Sequence, residues 1–153
     1  MLSIQCVISG EVFRQMARDH GLSLAEFGYL AEHDPSYDKM LDQRMVDLAR
    51  ENDNLIMEGR LTAHMLTENG LEAFKVLLDA DPTERGRRIA EREGITQDEA
   101  EARVAERERC EAARYIDYYG IDITDDSVYD LKINTTHIQA EEVADIILER
   151  VTG

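Results

Sequence analysis

Short apolar runs alternate with longer amphipathic stretches along this chain of 153 residues. Residues 4–8, 55–57, 74–78 and 131–133 are compact apolar runs bounded by turn or polar residues, the pattern of buried strands. Between them apolar positions recur every three or four residues. Val12, Phe13, Met16 and Ala17 form one such stripe, which stops at Gly21. Ser23 and Glu26 have the spacing of a capping box, and Leu22 is placed to staple onto Phe27. Pro35 ends that short helix, and Tyr37, Leu41, Met45, Leu48 and Ala49 mark the next. Asp81-Pro82-Thr83-Glu84 reads as a cap followed by proline at the first helical position, opening a helix to Arg92 that stops at Gly94. Thr96 and Glu99 form a second capping box, from which a long helix runs towards Tyr119-Gly120. Val143, Ile146, Ile147 and Val151 stripe a terminal helix. Strands alternating with helices predict an α/β fold around a mainly parallel sheet. Residues 22–51 read as a helical insertion and residues 99–120 as a helical arm.

Composition narrows the function classes. The length suits one domain, which buries about two-thirds of its unfolded surface. With 43% hydrophobic and 33% charged residues the chain is globular. A net charge of −16 would repel a nucleic acid overall, so no nucleic-acid partner is expected. No apolar run approaches the ~20 residues that span a bilayer, and the start has no basic-then-apolar signal pattern. No membrane partner is expected. Cys6 and Cys110 are the only cysteines, too few for a disulfide framework, and a reducing cytoplasm is the expected compartment. Of the basic residues, 14 are Arg and three are Lys. Arginine presents a planar fork suited to phosphate; an acidic, lysine-poor surface suited to high salt explains the same composition. Position decides between them.

Two strand ends carry the same chemistry. Cys6-Val7-Ile8 leads into Ser9-Gly10-Glu11-Val12-Phe13-Arg14, and Leu55-Ile56-Met57 leads into Glu58-Gly59-Arg60. Parallel sheets bind ligands at the carboxyl ends of their strands, where helix N-termini offer free N–H groups. Gly10 and Gly59 would let a phosphate approach the backbone, and Arg14 and Arg60 would supply charge. Taken singly, each arginine reads more readily as a solvated or ion-paired surface residue; their repetition at two equivalent strand ends favours the anion instead. Glu58 is placed to hold Mg²⁺ through water; Asp79, ending the next strand, would do the same or cap its turn. On the long helix Arg103, Arg107, Cys110, Arg114 and Tyr118 share a face, with Glu99 and Glu111 as possible i, i+4 partners of the first two arginines. Cys110 reads as a buried or semi-buried thiol rather than a nucleophile. His20, His33, His64 and His137 lack ligand spacing and read as surface or helix-end residues.

These motifs together resemble the archaeal-type cytidylate kinases, in the nucleoside monophosphate kinase group of P-loop proteins. The resemblance rests on Ser9 to Arg14, on Glu58-Gly59-Arg60-Leu61 and on Arg88 to Gly94. Arg107-Glu108 to Arg114-Tyr115 adds to it, as does Tyr119-Gly120-Ile121-Asp122-Ile123 running to Val128-Tyr129-Asp130-Leu131 and Ile133-Asn134-Thr135. It implies a P-loop kinase-like parallel sheet flanked by helices, with residues 22–51 binding the monophosphate and residues 99–120 as lid. It implies transfer of the γ-phosphoryl of ATP, with Mg²⁺, to CMP or dCMP. Ser9, Gly10, Arg14, Gly59 and Arg60 would hold the acceptor, and Arg107 and Arg114 would close over the transferring group. Arg85 would stack on the donor adenine, and Asp130 would contact the acceptor sugar or base.

The departure is equally specific. No Gly-x-x-x-x-Gly-Lys-Ser/Thr loop occurs in the 153 residues, and no strand precedes the Ser-Gly-Glu motif other than residues 4–8. The resemblance expects a loop-bearing strand at the centre of the sheet, between the strands ending at Glu58 and Asp79. Its ~4–5 buried apolar residues would contribute about 6–15 kcal/mol, as much as a whole domain's stability. The expectation is therefore a kinase that is inactive as this chain stands. The alternatives are a non-catalytic nucleotide- or partner-binding remnant and a kinase for another monophosphate.

Overall fold

The computed structural model of the chain describes residues 4–153. Its elements follow the alternation: β1 (Gln5–Ile8), α1 (Ser9–Asp19), α2 (Leu24–His33), α3 (Pro35–Glu51), β2 (Leu55–Glu58), α4 (Thr62–Glu68), β3 (Val76–Asp79), α5 (Pro82–Glu93), α6 (Gln97–Tyr119), β4 (Leu131–Asn134) and α7 (Ala140–Thr152). The four expected strands are present, shifted by one or two residues. Helix α4 and a 3-10 turn at Asp126–Val128 carry no stripe long enough to announce them. Among the described residues no helix is long and apolar enough to cross a membrane.

The fold is α/β with short parallel sheets flanked by helices. The strands pair in twos: β1 with β2, in the register Gln5↔Leu55 to Ile8↔Glu58, and β3 with β4, from Val76↔Leu131 to Asp79↔Asn134. Each strand thus has one hydrogen-bonded neighbour among the described residues. The chain divides into two compact units, the first ending at Ala73 and the second beginning at Phe74.

In the first unit α1, α2 and α3 close around Met16, Ala17 and the fully buried Phe27. Phe27 meets Phe13 at 4.8 Å and Tyr37 edge-on at 5.2 Å between ring centroids, so three helices share one aromatic contact. Leu22 packs against this cluster, as its staple position requires. The Ser23–Glu26 capping box closes in both directions, and Asp34 caps α3 by accepting from Ser36 N at 2.9 Å. That hydrogen bond holds the Asp34 carboxyl below its usual range. The expectation of four surface or helix-end histidines fails at His64, which is 3% exposed on α4. The short helix packs on α3 and has few positions to turn inward.

In the second unit α5 and α6 form the main helix contact. Thr96 and Glu99 complete their capping box, and left-handed glycines at 94 (φ 67°) and 120 (φ 66°) end the two helices. Asp81 stands at the N-cap position with Pro82 after it, but its side chain makes no cap bond. The inward line of α6 is Ala100, Val104, Glu108, Glu111, Tyr115 and Tyr118, buried or half-buried, which is offset from the line of arginines. Cys110 lies off that line and is exposed, its Sγ 3.4 Å from Glu106 Oε1, which corrects the expected burial. Gly86 of α5 lies against α6. A Cβ there would stand 2.5 Å from Glu101 Cγ and 2.9 Å from Gln97 Nε2. Gly86→Val should therefore lower stability by about 1–3 kcal/mol through overpacking, read as a lowered Tm in a thermal melt. Gly86→Ala should change it less, because helix propensity returns up to about 1 kcal/mol.

Candidate active site

The N-termini of the first six helices divide into two kinds. Those of α2, α3 and α6 are capped by the side chains of Ser23, Asp34 and Thr96. Those of α1, α4 and α5, which follow β1, β2 and β3, begin at Ile8, Leu61 and Asp81 with no side-chain cap bond. The first amides of a helix need acceptors from outside it. At these three strand ends the N-cap side chain supplies none.

In the first unit the parallel register sets Ile8 beside Glu58, so Ser9 and Gly59 are neighbours at the carboxyl end of the sheet. A Cβ on Gly59 would run into Thr62 Oγ1 and lie 3.2 Å from Ser9 Oγ. Two hydroxyls therefore flank a bare backbone at the head of two helices, and only glycine fits between them. Nothing crowds Gly10 within 4 Å of a Cβ position. Arg14, exposed on the second turn of α1, makes no side-chain ion pair or hydrogen bond among the described residues. Arg60 is exposed one residue after Gly59. Thr62 was not legible as part of this group; its only signal is its position three residues after Gly59.

In the second unit most of the arginines are engaged by carboxylates. Arg107 Nε donates to Oε1 of the buried Glu111 at 3.0 Å, as its i, i+4 spacing predicts. Arg103 reaches Glu93 on α5 at 3.5 Å instead of Glu99, whose carboxylate closes the helix cap. Arg85 pairs with Glu108 across the two helices. Arg114 is half-buried near the end of α6. Glu84 receives Arg87 at 2.8 Å and Arg88 at 3.0 Å, and the hydrogen bond from Arg87 leads in lowering its carboxyl to about 2. Arg109 and, less strongly, the Cys110 thiol hold the Glu106 carboxyl below its usual range.

The carboxyl ends of β3 and β4 are tied by residues that the strand pattern does not single out. Thr135 N and Oγ1 both donate to Asp79 O, at 2.7 and 3.0 Å, and Asp81 N donates to Thr136 Oγ1 at 2.9 Å. Arg88 Nη2 donates to Thr135 O at 2.6 Å, fastening α5 to this turn. Asp79 accepts from Ala80 N, the turn-capping role among its two readings. Asp130 lies at the other end. Its backbone N donates to Lys75 O and its Oδ2 accepts from Lys75 N, both at 2.8 Å, just before the two strands begin. The structure gives it a strand-pairing task at the amino end of β3 and β4.

Among the described residues no three of His, Cys, Asp and Glu cluster as a metal site. Glu58 is exposed at the end of β2 and fits Mg²⁺ only as a single carboxylate, with water and phosphate oxygens completing the shell. The 153 residues contain no Gly-x-x-x-x-Gly-Lys-Ser/Thr loop.

Known proteins resemble this chain in sequence and in fold. The model of the cytidylate kinase-like family matches residues 1–137. A cytidylate kinase of Methanoregula boonei is 46% identical over 142 residues, covering 92% of this chain and 76% of the relative. That of Halobacterium salinarum is 43% identical, covering 98% and 77%, and that of Methanocorpusculum labreanum is 43% identical, covering 95% and 80%. A crystal structure of an uncharacterized protein from Eubacterium ventriosum shares the fold, with a TM-score of 0.68 at 16% identity over 98% of this chain and 83% of that one. With the family model matched over residues 1–137 and these relatives aligned along nearly its full length, the chain belongs to the cytidylate kinase-like family.

Proposed function

We propose that this chain carries the acceptor site and lid of an ATP-dependent kinase for CMP and dCMP, acting in the cytoplasm. The observation that carries the reading is the junction of Ser9 and Gly59: two hydroxyls and a bare glycine at adjacent, uncapped helix starts. Ser9, Gly10 and Gly59 would receive the acceptor phosphate on backbone N–H groups, and Arg14 and Arg60 would neutralise it. Arg107 and Arg114 would supply positive charge to the equatorial oxygens of the transferring group, and Arg85 a face for the adenine. When bound through Glu58 and water, Mg²⁺ would neutralise phosphate charge. The choice of cytosine rests on the names of the relatives.

The absence of a glycine-rich lysine loop favours a second reading, a non-catalytic nucleotide-binding protein. One experiment separates the two. A fused protein carrying a strand and a Gly-x-x-x-x-Gly-Lys-Ser/Thr loop ahead of residue 1 is assayed with ATP, Mg²⁺ and CMP, dCMP, AMP, UMP or GMP. The kinase reading expects turnover, with CMP and dCMP preferred. Equal or greater turnover of AMP overturns the substrate assignment, and no turnover of any acceptor favours the second reading.

A further inference from the structure

Most ion pairs on α5 and α6 are local, joining residues three or four apart: Arg87 and Arg88 with Glu84, Arg87 with Glu91, Arg107 with Glu111 and Arg109 with Glu106. Such pairs stiffen a helix without holding it to anything. Arg85–Glu108 and Arg103–Glu93 are different, since each joins α5 to α6. Arg85 and Glu108 lie 23 residues apart in sequence, and their side chains are 30% and 35% exposed. Arg85 Nε is buried with no hydrogen-bond partner among the described residues, so the guanidinium is held chiefly through this one carboxylate. Glu108 belongs to the inward line of α6, where a carboxylate is costly unless a cation meets it.

A carboxylate on an arginine fork occupies the directions that a phosphate would use. We propose that Arg85–Glu108 is a displaceable latch. Glu108 stands on Arg85 in place of a ligand's anion, and a polyphosphate reaching Arg85 releases the part of α6 around Glu108. The inference rests on the nucleotide-binding reading for the identity of its ligand, but it requires no catalysis. The pair is partly exposed, and one such pair shifts a local opening equilibrium only a few-fold. An anion of high charge competes for the fork where a simple salt only screens it.

The test is amide hydrogen exchange across α6 in the 153-residue chain, with inorganic triphosphate as probe and sodium chloride at matched ionic strength as control. In the unaltered chain, triphosphate should speed exchange in residues 104–112 roughly two- to five-fold over the chloride control. Glu108→Gln should already exchange at the faster rate and respond no further. Glu93→Gln, which cuts the other cross-helix pair, should keep the triphosphate response. The latch is overturned if chloride acts as strongly as triphosphate, if Glu108→Gln responds like the unaltered chain, or if Glu93→Gln abolishes the response. It is also overturned if α6 shows no protection to lose. A kinase that prefers AMP would sink the substrate assignment and leave this result untouched.

Discussion

Mixed with CMP, ATP and Mg²⁺, the 153-residue chain should form no CDP above the buffer control, while the fused protein with the loop should turn over. Phosphoryl transfer depends on positioning and on neutralising charge at the equatorial oxygens. Removing one preorganised donor of that kind costs about 2.7–4 kcal/mol in the transition state. A glycine-rich loop supplies several such N–H groups and a lysine, so losing three donors alone lowers the rate roughly 10⁶-fold or more. The arginines of α6 do not compensate. They would bring charge to the equatorial oxygens but none of the backbone N–H groups that such a loop supplies. The check is a chromatographic assay of CDP with equal amounts of the two proteins. CDP production by the 153-residue chain within tenfold of the fused protein would show that the loop is dispensable.

The second large effect is a division of labour among four arginines, measured in the fused protein. Arg14→Ala or Arg60→Ala should raise KM for CMP by roughly 10–100-fold, the size of a hydrogen bond to a charged group. Each would hold the acceptor phosphate equally in ground and transition states, so kcat should change little. Arg107→Ala or Arg114→Ala should instead lower kcat by about 10²–10³-fold, as expected of charge that meets the phosphoryl group during transfer. Steady-state kinetics on the four variants distinguishes the patterns. Full kcat in both α6 variants would make that helix a salt-bridged surface, a reading that the Arg107–Glu111 pair keeps in view. Arg14 is the informative control, because no carboxylate partners it among the described residues. Its loss leaves no internal ion pair broken, so a KM effect there reports on ligand alone.

The local signals of the fold were open to reading in the chain itself. Ser23 with Glu26 and Thr96 with Glu99 close as capping boxes because each involves atoms three residues apart. Gly94 and Gly120 end their helices because they adopt the left-handed backbone without steric cost. The strand-to-helix turns at Ser9 and Gly59 follow from the apolar runs before them, and parallel pairing puts both at one end of the sheet. The tertiary structure decided what lies across space. Helical spacing aligned Arg103, Arg107, Cys110 and Arg114, but each residue turns only about 100° from the last. Packing against α5 therefore chose the adjacent line through Glu108 and Glu111, leaving Cys110 outside. The partner of Arg85, 23 residues away, has no sequence signal, and neither does the burial of His64. The family resemblance assigns Asp130 to the acceptor sugar or base. Its place before β4, bonded to Lys75, was set by strand register. The same register brought Ser9, Gly59 and Thr62 within one contact, because only the pairing of β1 with β2 makes neighbours of segments some fifty residues apart.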